Sequence, residues 1–406
     1  VRILRQSWRN LWRNWRRTVI TLSAVAASTA VLIIAYSLTW GMMVQMVKLV
    51  TQVSVGEVQI HAPGYLADRS IYKTVRRPAS ILEAAKRAGV AAAPRSYGFG
   101  LVSCRMKSAG AVFWGVDPAA EAASFDLAKQ VKEGSFLSAS PRRGIVLGSR
   151  LAKSLDAKVG SEIVALVQAA DGSLGNELFT VTGILSQVGD TVDRNAAIIH
   201  RKDWGELFSA GAMIHEVAVT SRGRTELSAL TESLAKPSKG EDVRTWRQLV
   251  PLASDMLNMI DVMLLIFGIV FGGAAGLGVM NTMLMATHER TREFGVLKAL
   301  GATPFRIVRD VSVEALVLGA AGAVAGTVVG VAASWYFQVY GIDTSMIAGG
   351  GLNISGMMFD PIWRSALTLK MALLPALLML AMCVLSAIYP AVRASRLDPV
   401  KAMSHV

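Results

Sequence analysis

Long apolar runs alternate with one extended stretch of ordinary soluble patterning along this chain. A bilayer core of about 30 Å takes roughly 20 apolar residues as a helix. Four segments qualify: Thr18 to about Val47 without a charged residue, about Val262 to Ala286, about Val311 to Tyr340 with Glu314 inside it, and Met371 to Tyr389. The first continues through Val31, Leu32, Ile33 and Ile34, too long for the apolar core of a cleaved signal peptide, and reads as a signal anchor. Between the first two runs the period changes. Val58, Ile60 and Ala62 alternate with Glu57, Gln59 and His61, the pattern of a half-buried strand that Pro63 and Gly64 end. Strand-like runs follow at 111–116, 144–147, 162–167, 178–185, 196–200 and 216–220, with helical patterns at 80–88, 149–155, 202–208 and 225–234. This predicts an α/β region in two lobes.

Composition supports the membrane reading. Of 406 residues 52% are hydrophobic and 17% charged, against about 25% charged in soluble proteins. The net charge of +13 comes without a nucleic-acid reading motif, so nucleic acid is not an expected partner. The positive charge instead marks the ends of the apolar runs. Arg2, Arg5, Arg9, Arg13, Arg16 and Arg17 precede the first; Arg290, Arg292, Lys298, Arg306 and Arg309 lie between the second and third; Arg393, Arg396 and Lys401 follow the fourth. All three clusters fall on one side of a four-span chain, and the positive-inside rule makes that side the cytoplasm. Both termini are expected inside and the large insert outside. Leu4, Trp8, Leu11, Trp12 and Trp15 share one helical face, so residues 1–17 read as an amphipathic helix in the inner headgroup layer.

The remaining features point to mechanics and not to catalysis. Cys104 and Cys383 are too few for a metal cluster, and His61, His200 and His215 lack ligand spacing; no catalytic or metal residue is expected. Asp190 and Asp193 suit a polar turn, with a small ion site as the alternative. Gly268, Gly272 and Gly276, and likewise Gly322, Gly326 and Gly330, recur every four residues and form flat stripes for close helix packing. They serve packing within one bundle, or else a subunit interface or a sliding surface. Met42, Met43, Met46, Met256, Met259 and Met263 gather near the outer ends of two spans, where thioethers suit general packing or a pocket for lipid and acyl chains. Ser254, Asp255, Asn258 and Asp261 share a face opposite Leu252, Met256, Met259 and Ile260, predicting a stalk with one wet side.

The stretch from Gly278 to Arg306, the ending from Tyr389 to Met403 and the opening from Trp8 to Thr18 resemble the corresponding signatures of MacB/FtsX-type ABC transporter permeases. The segments Gly144–Lys153 and Phe179–Ile184 look like that family's periplasmic domain, and Gly56–Tyr65 is similar to its lipoprotein-releasing, Lol-type members. The resemblance implies an α-helical protein of the bacterial inner membrane, with four transmembrane helices and a large periplasmic α/β domain between the first and second. It implies a mechanotransmission-type permease. Its expected order is an amphipathic helix (1–17), first span (18–47), periplasmic domain (48–250), stalk and second span (251–286), coupling loop (287–308), third span (309–340), short periplasmic loop (341–370), fourth span (371–390) and cytoplasmic tail (391–406).

Within the loop, Glu289–Leu300 forms a short helix with Glu early and Lys late, Gly301 placed to cap it and Pro304 to stop it. In the family this helix docks on the ATPase. The expected coupling residues are Glu289, Arg290, Arg292, Glu293, Phe294, Gly295, Leu297, Lys298, Leu300, Gly301, Ala302, Thr303 and Phe305, with Phe294, Val296, Leu297 and Leu300 buried. The dipeptide Gly-Lys never occurs, so no phosphate loop lies within these residues. ATP and Mg are expected on a separate cytoplasmic ATPase subunit, with no cofactor on this chain. Further expected partners are a second permease copy or paralogue, membrane lipid and a periplasmic carrier or adaptor. The expected work is extraction of lipoprotein or lipid-anchored cargo from the outer leaflet. MacB-like efflux of drugs or peptides through a tripartite assembly, and FtsX-like signalling to a cell-wall hydrolase, are the alternatives.

Overall fold

The computed structural model describes residues 14–140, 142–186, 188–343 and 362–398, with two paired dipeptide strands at Asn353–Ile354 and Met357–Met358. All but the last residues of the expected amphipathic leading helix, and Lys401 in the tail, lie outside the described residues. Two compact units result: the spans (Val1–Val44, Met256–Thr344 and Ile362–Val406) and the outer domain (Gln45–Asp255 with Ser345–Pro361).

Four helices are long and apolar enough to cross a membrane. The first, Trp15–Leu49, ends in a π-helical turn, Val50–Ser54, where Val55 N donates to Val50 O. The second, Pro251–Glu289, has 39 residues and is roughly 58 Å long at 1.5 Å per residue, well beyond a bilayer core. The third runs from Pro304 to Tyr340 and the fourth from Leu369 to Ser395. Pro304 lies at a helix boundary, past the end of the preceding helix at Ala299. It occupies the first turn of the third one, where its missing N–H costs nothing and its fixed φ suits the helix.

The glycine stripes are consumed inside the bundle. A side chain at Gly268, Gly272 or Gly276 would strike Leu378, Met382 or Ser386 of the fourth helix. One at Gly322, Gly326 or Gly330 would strike the first helix at Val25, Ala26 or Ile33. The stripes thus pack the second helix on the fourth and the third on the first. Thr21 and Thr282 share a buried hydrogen bond of 2.6 Å between the first two helices. Asp261, expected on the stalk's wet side, is exposed there, accepts from Tyr36 at 2.7 Å and pairs with Lys370 at 3.1 Å.

The outer domain is built on one ten-stranded sheet. Its strands are β1 (Val58–His61), β2 (Ala91–Cys104), β3 (Lys107–Val116), β4 (Val131–Gly134), β5 (Gly144–Leu147), β6 (Glu162–Gln168), β7 (Leu174–Leu185), β8 (Ala196–His200), β9 (Glu216–Thr220) and β10 (Asp242–Thr245). Six of them pair round in a closed ring, β2-β3-β8-β5-β7-β6 and back to β2. Val102, Phe113, Ile145, Ile163, Phe179 and Ile199, one from each ring strand, share its core. The other part is the ladder β10-β1-β9-β2, with Ile81, Ala85, Leu230 and Leu234 of two helices packed on Val58, Ile60, Val217 and Val219. The two parts share β2: residues 91–95 pair with β9 and residues 95–104 with β3.

Two local expectations change. β1 is buried on both faces, not half-buried, because helices pack over Val58 and Ile60 and its polar side chains, Gln59 and His61, enter a hydrogen-bonded knot. Residues 190–193 belong to a short helix, Asp190–Asn195, and not to a turn. Asp193 accepts from Val188 N at 2.9 Å, while Asp190 holds Arg150 at 2.6 Å and Arg194 at 2.9 Å, which accounts for both carboxylates. β2 was not marked by any alternation of apolar and polar residues, since Ala91-Ala92-Ala93-Pro94 and the glycines Gly98 and Gly100 blur its period.

Candidate functional site

The cytoplasmic loop folds as a helix-turn built for attachment on one side. Glu289 closes the second long helix, and the short helix begins at Thr291 and ends at Ala299; the expected single helix from Glu289 is split at Arg290, whose backbone is non-helical at φ −104° and ψ 13°. Gly301, at φ +86°, ends it. Its N–H donates to Lys298 O and that of Ala302 to Leu297 O, both at 3.0 Å. Those two bonds form the Schellman motif, which needs a left-handed residue at this position.

Arg290 is the node of the site. It donates to Glu314 of the third long helix at 3.0 Å and to Glu293 at 2.8 Å, and its guanidinium lies 5.1 Å from the Phe294 ring centre. Glu314, the charge that interrupted the third apolar run, is buried, as an intramembrane carboxylate must be when paired. Phe294 packs with Ile307, Val311, Ala391 and Ala394, tying the short helix to the third and fourth long ones. Lys298 donates to the carbonyls of Ser395 and Leu397 at 3.0 and 2.6 Å, placing a cation at the negative end of the fourth helix. Glu289 accepts from Asn14 at 2.6 Å and Arg17 at 3.4 Å, fastening the end of the second helix to the start of the first.

The opposite side is open. Phe294 is 2% exposed, but Val296 is 43%, Leu300 79% and Phe305 75% exposed, and Leu297 is also exposed. The expectation that Val296, Leu297 and Leu300 are buried fails within this chain, because one short helix offers only one face to the bundle. Arg292, Glu293 and Thr303 are exposed as well, Gly295 is buried beside Phe294 and Ala302 is half-buried. Among the six methionines, Met43 and Met46 are buried, Met42 and Met256 half-buried, and Met259 and Met263 exposed. They occupy three different environments.

The outer domain holds a second charged centre that no sequence motif announced. Arg95 of β2 is fully buried and donates to both oxygens of Glu121, at 2.6 and 3.2 Å, to Glu216 at 3.1 Å and to Ser54 O. The guanidinium lies 4.4 Å from the Phe125 ring centre. Burial alone would lower its pKa, but the Glu121 and Glu216 carboxylates outweigh that and hold it above the ordinary arginine value. Tyr97 donates to Glu216 at 3.1 Å, and burial together with that carboxylate raises its phenol. His61 is hydrogen-bonded by both ring nitrogens, to His215 O and Gln59 Oε1, while His215 contacts Tyr97 N and Ile71 O. Burial lowers the His215 pKa and keeps the ring neutral. His200 accepts from Lys202 N at the start of a helix. The three histidines are therefore occupied by structure.

The family profile described as the MacB-like periplasmic core domain matches residues 18–242, and that of the FtsX-like permease C-terminal matches residues 265–399. An ABC transporter permease of Methanocaldococcus jannaschii is 28% identical over 215 residues, which is 51% of this chain and 52% of that protein. The lipoprotein-releasing system transmembrane protein LolC of Xylella fastidiosa is 24% identical over 73% of both chains. The macrolide export ATP-binding/permease protein MacB of Marinobacter nauticus is 28% identical over 69% of this chain and 42% of its own length.

Proposed function

The chain belongs to the MacB/FtsX-type permeases of ABC transporters, and from that membership we infer that it converts ATP hydrolysis on a partner ATPase into movement of its periplasmic domain. It is a multi-pass membrane protein, and its 406 residues contain no Gly-Lys dipeptide for a phosphate loop. The observation that carries the reading is the two-sided helix Thr291–Ala299. Its inner side is locked to the third and fourth long helices by Phe294, Arg290 and Lys298, while Val296, Leu297, Leu300 and Phe305 form an apolar outer side. An ATPase groove would cover that side, and a displacement there would be carried to the bundle by packed side chains and ion pairs. The continuous helix Pro251–Glu289 supplies a rigid lever on the same loop.

The arginine clusters support placing this loop and both termini in the cytoplasm. The cargo we propose is a lipoprotein or other lipid-anchored molecule, supported by the match over 73% of both chains to a lipoprotein-releasing permease. The permease and its co-purifying ATPase, reconstituted in proteoliposomes with a triacylated lipoprotein, provide the test. Glu293→Lys and Gly301→Leu are each expected to retain ATP hydrolysis and lose ATP-dependent lipoprotein release. Release at the parental rate by both variants would overturn the coupling role. Absence of release by the parental chain would overturn the cargo.

A further inference from the structure

A cavity of about 330 Å³ opens in the outer domain beside the Arg95 knot. Its apolar lining includes Leu49, Val112, Trp114, Val192 and Leu249. Glu216 also lines it and is only 4% exposed. Its Oε1 accepts from Arg95 and Tyr97, each at 3.1 Å. Its Oε2 receives no hydrogen bond among the described residues. Oε2 lies 3.9 Å from His61 Nε2, and that nitrogen already meets Gln59 Oε1 at 3.0 Å. The enclosed charges do not balance, because one guanidinium, Arg95, faces two carboxylates, Glu121 and Glu216. A carboxylate oxygen that opens on a cavity without a donor attracts a cation that can supply one.

The opposite charge stands on the exposed part of the lining. Arg69 lines the same cavity, is exposed, and has no ion pair among the described residues. Tyr65 feels both ends: after burial, Glu216 raises its phenol and Arg69 lowers it, the sum lying above the ordinary tyrosine value. The cavity therefore offers an anion inside, a cation on its exposed lining and apolar walls. Its volume corresponds to roughly a dozen non-hydrogen atoms at about 30 Å³ per water-sized unit.

We propose that this cavity binds a small zwitterion with an apolar body, its ammonium donating to Glu216 Oε2 and its anionic group meeting Arg69. The aromatic face of Trp114 adds attraction for the ammonium-bearing end. Two sources carry that chemistry: a free amino-acid-like zwitterion, and the headgroup of an aminophospholipid. The inference does not depend on the coupling reading, since binding needs neither ATP nor cargo.

Calorimetric titration of the full chain in maltoside detergent tests it. L-phenylalanine serves as the free zwitterion, dihexanoyl phosphatidylethanolamine as the lipid, and dihexanoyl phosphatidylglycerol as the lipid without an ammonium. Saturable binding of either zwitterion is expected, identifying its source, with no binding of the glycerol lipid. Arg69→Ala and Glu216→Gln are each expected to raise Kd at least tenfold. Glu216 also holds Arg95, so if Glu216→Gln does not fold, the exposed Arg69→Ala decides alone. Failure of both zwitterions to bind, equal binding of the glycerol lipid, or a Kd unchanged in Arg69→Ala would each overturn the proposal.

Discussion

Two arginines organise this protein, and their surroundings differ in one respect. Arg95 in the outer domain and Arg290 at the coupling loop each hold two carboxylates and lie near an aromatic ring. Arg95 is sealed: β2, the helix Pro118–Ser124 and β9 converge on it, and neither it nor Glu121 is exposed at all. Arg290 is half open. Its side chain is 13% exposed, it lies in the non-helical link between two helices, and one partner, Glu293, faces solvent. An enclosed charge has no alternative partner and fixes geometry, whereas a charge at a rim exchanges partners at small cost. The same chemistry makes a rivet in one place and a joint in the other.

The largest expected effect breaks the rivet. Glu121→Ala leaves Arg95 short of its bidentate partner and is expected to destabilise the outer domain by about 3–5 kcal/mol, read by thermal unfolding of the full chain in detergent. Glu314→Ala is expected to cost less, about 2 kcal/mol, because Arg290 keeps Glu293 and some water. A double-mutant cycle of Arg290→Ala with Glu314→Ala measures that coupling; a loss matching that of Glu121→Ala would erase the distinction between the two sites. Gly301→Ala, at φ +86° with open space around its missing side chain, is expected to cost about 1 kcal/mol through backbone strain alone. Hydrogen exchange at Leu297–Ala302 should report it locally.

The smallest effect concerns pH. Burial depresses the His215 pKa below its unfolded value, so the unfolded chain binds more protons in the window between the two. Stability from this ring is present above about pH 6.5 and is lost as pH falls through that window. The unfolding temperature of the outer domain should fall between pH 7 and pH 5, and His215→Gln should flatten that slope. An unaltered slope in the variant would remove His215 as its cause.

Much of the architecture was legible because lipid and water are strict solvents. Apolar length marked four spans, and the turn residues around 144–147, 196–200 and 216–220 marked strands whose bounds recur unchanged. The coupling loop was legible through Gly301 and the charge order around it, yet its exposed outer residues were misjudged, because an apolar residue does not say which partner covers it. Arg95, Glu121 and Glu216 gave no signal at all. Their separations along the chain, 26 and 121 residues, carry no period.

What the amino-acid order determined by itself is local: helix length, strand alternation, the left-handed turn after the coupling helix, and the family to which these signatures belong. The tertiary structure decided which faces meet. It assigned the glycine stripes to neighbouring spans of the same chain, joined Glu314 to Arg290, and closed six strands into a ring through β2. Short-range patterns follow from solvent and backbone geometry. The pairing of buried charges depends on which distant segments share a low-dielectric interior, and only the folded chain brings them there.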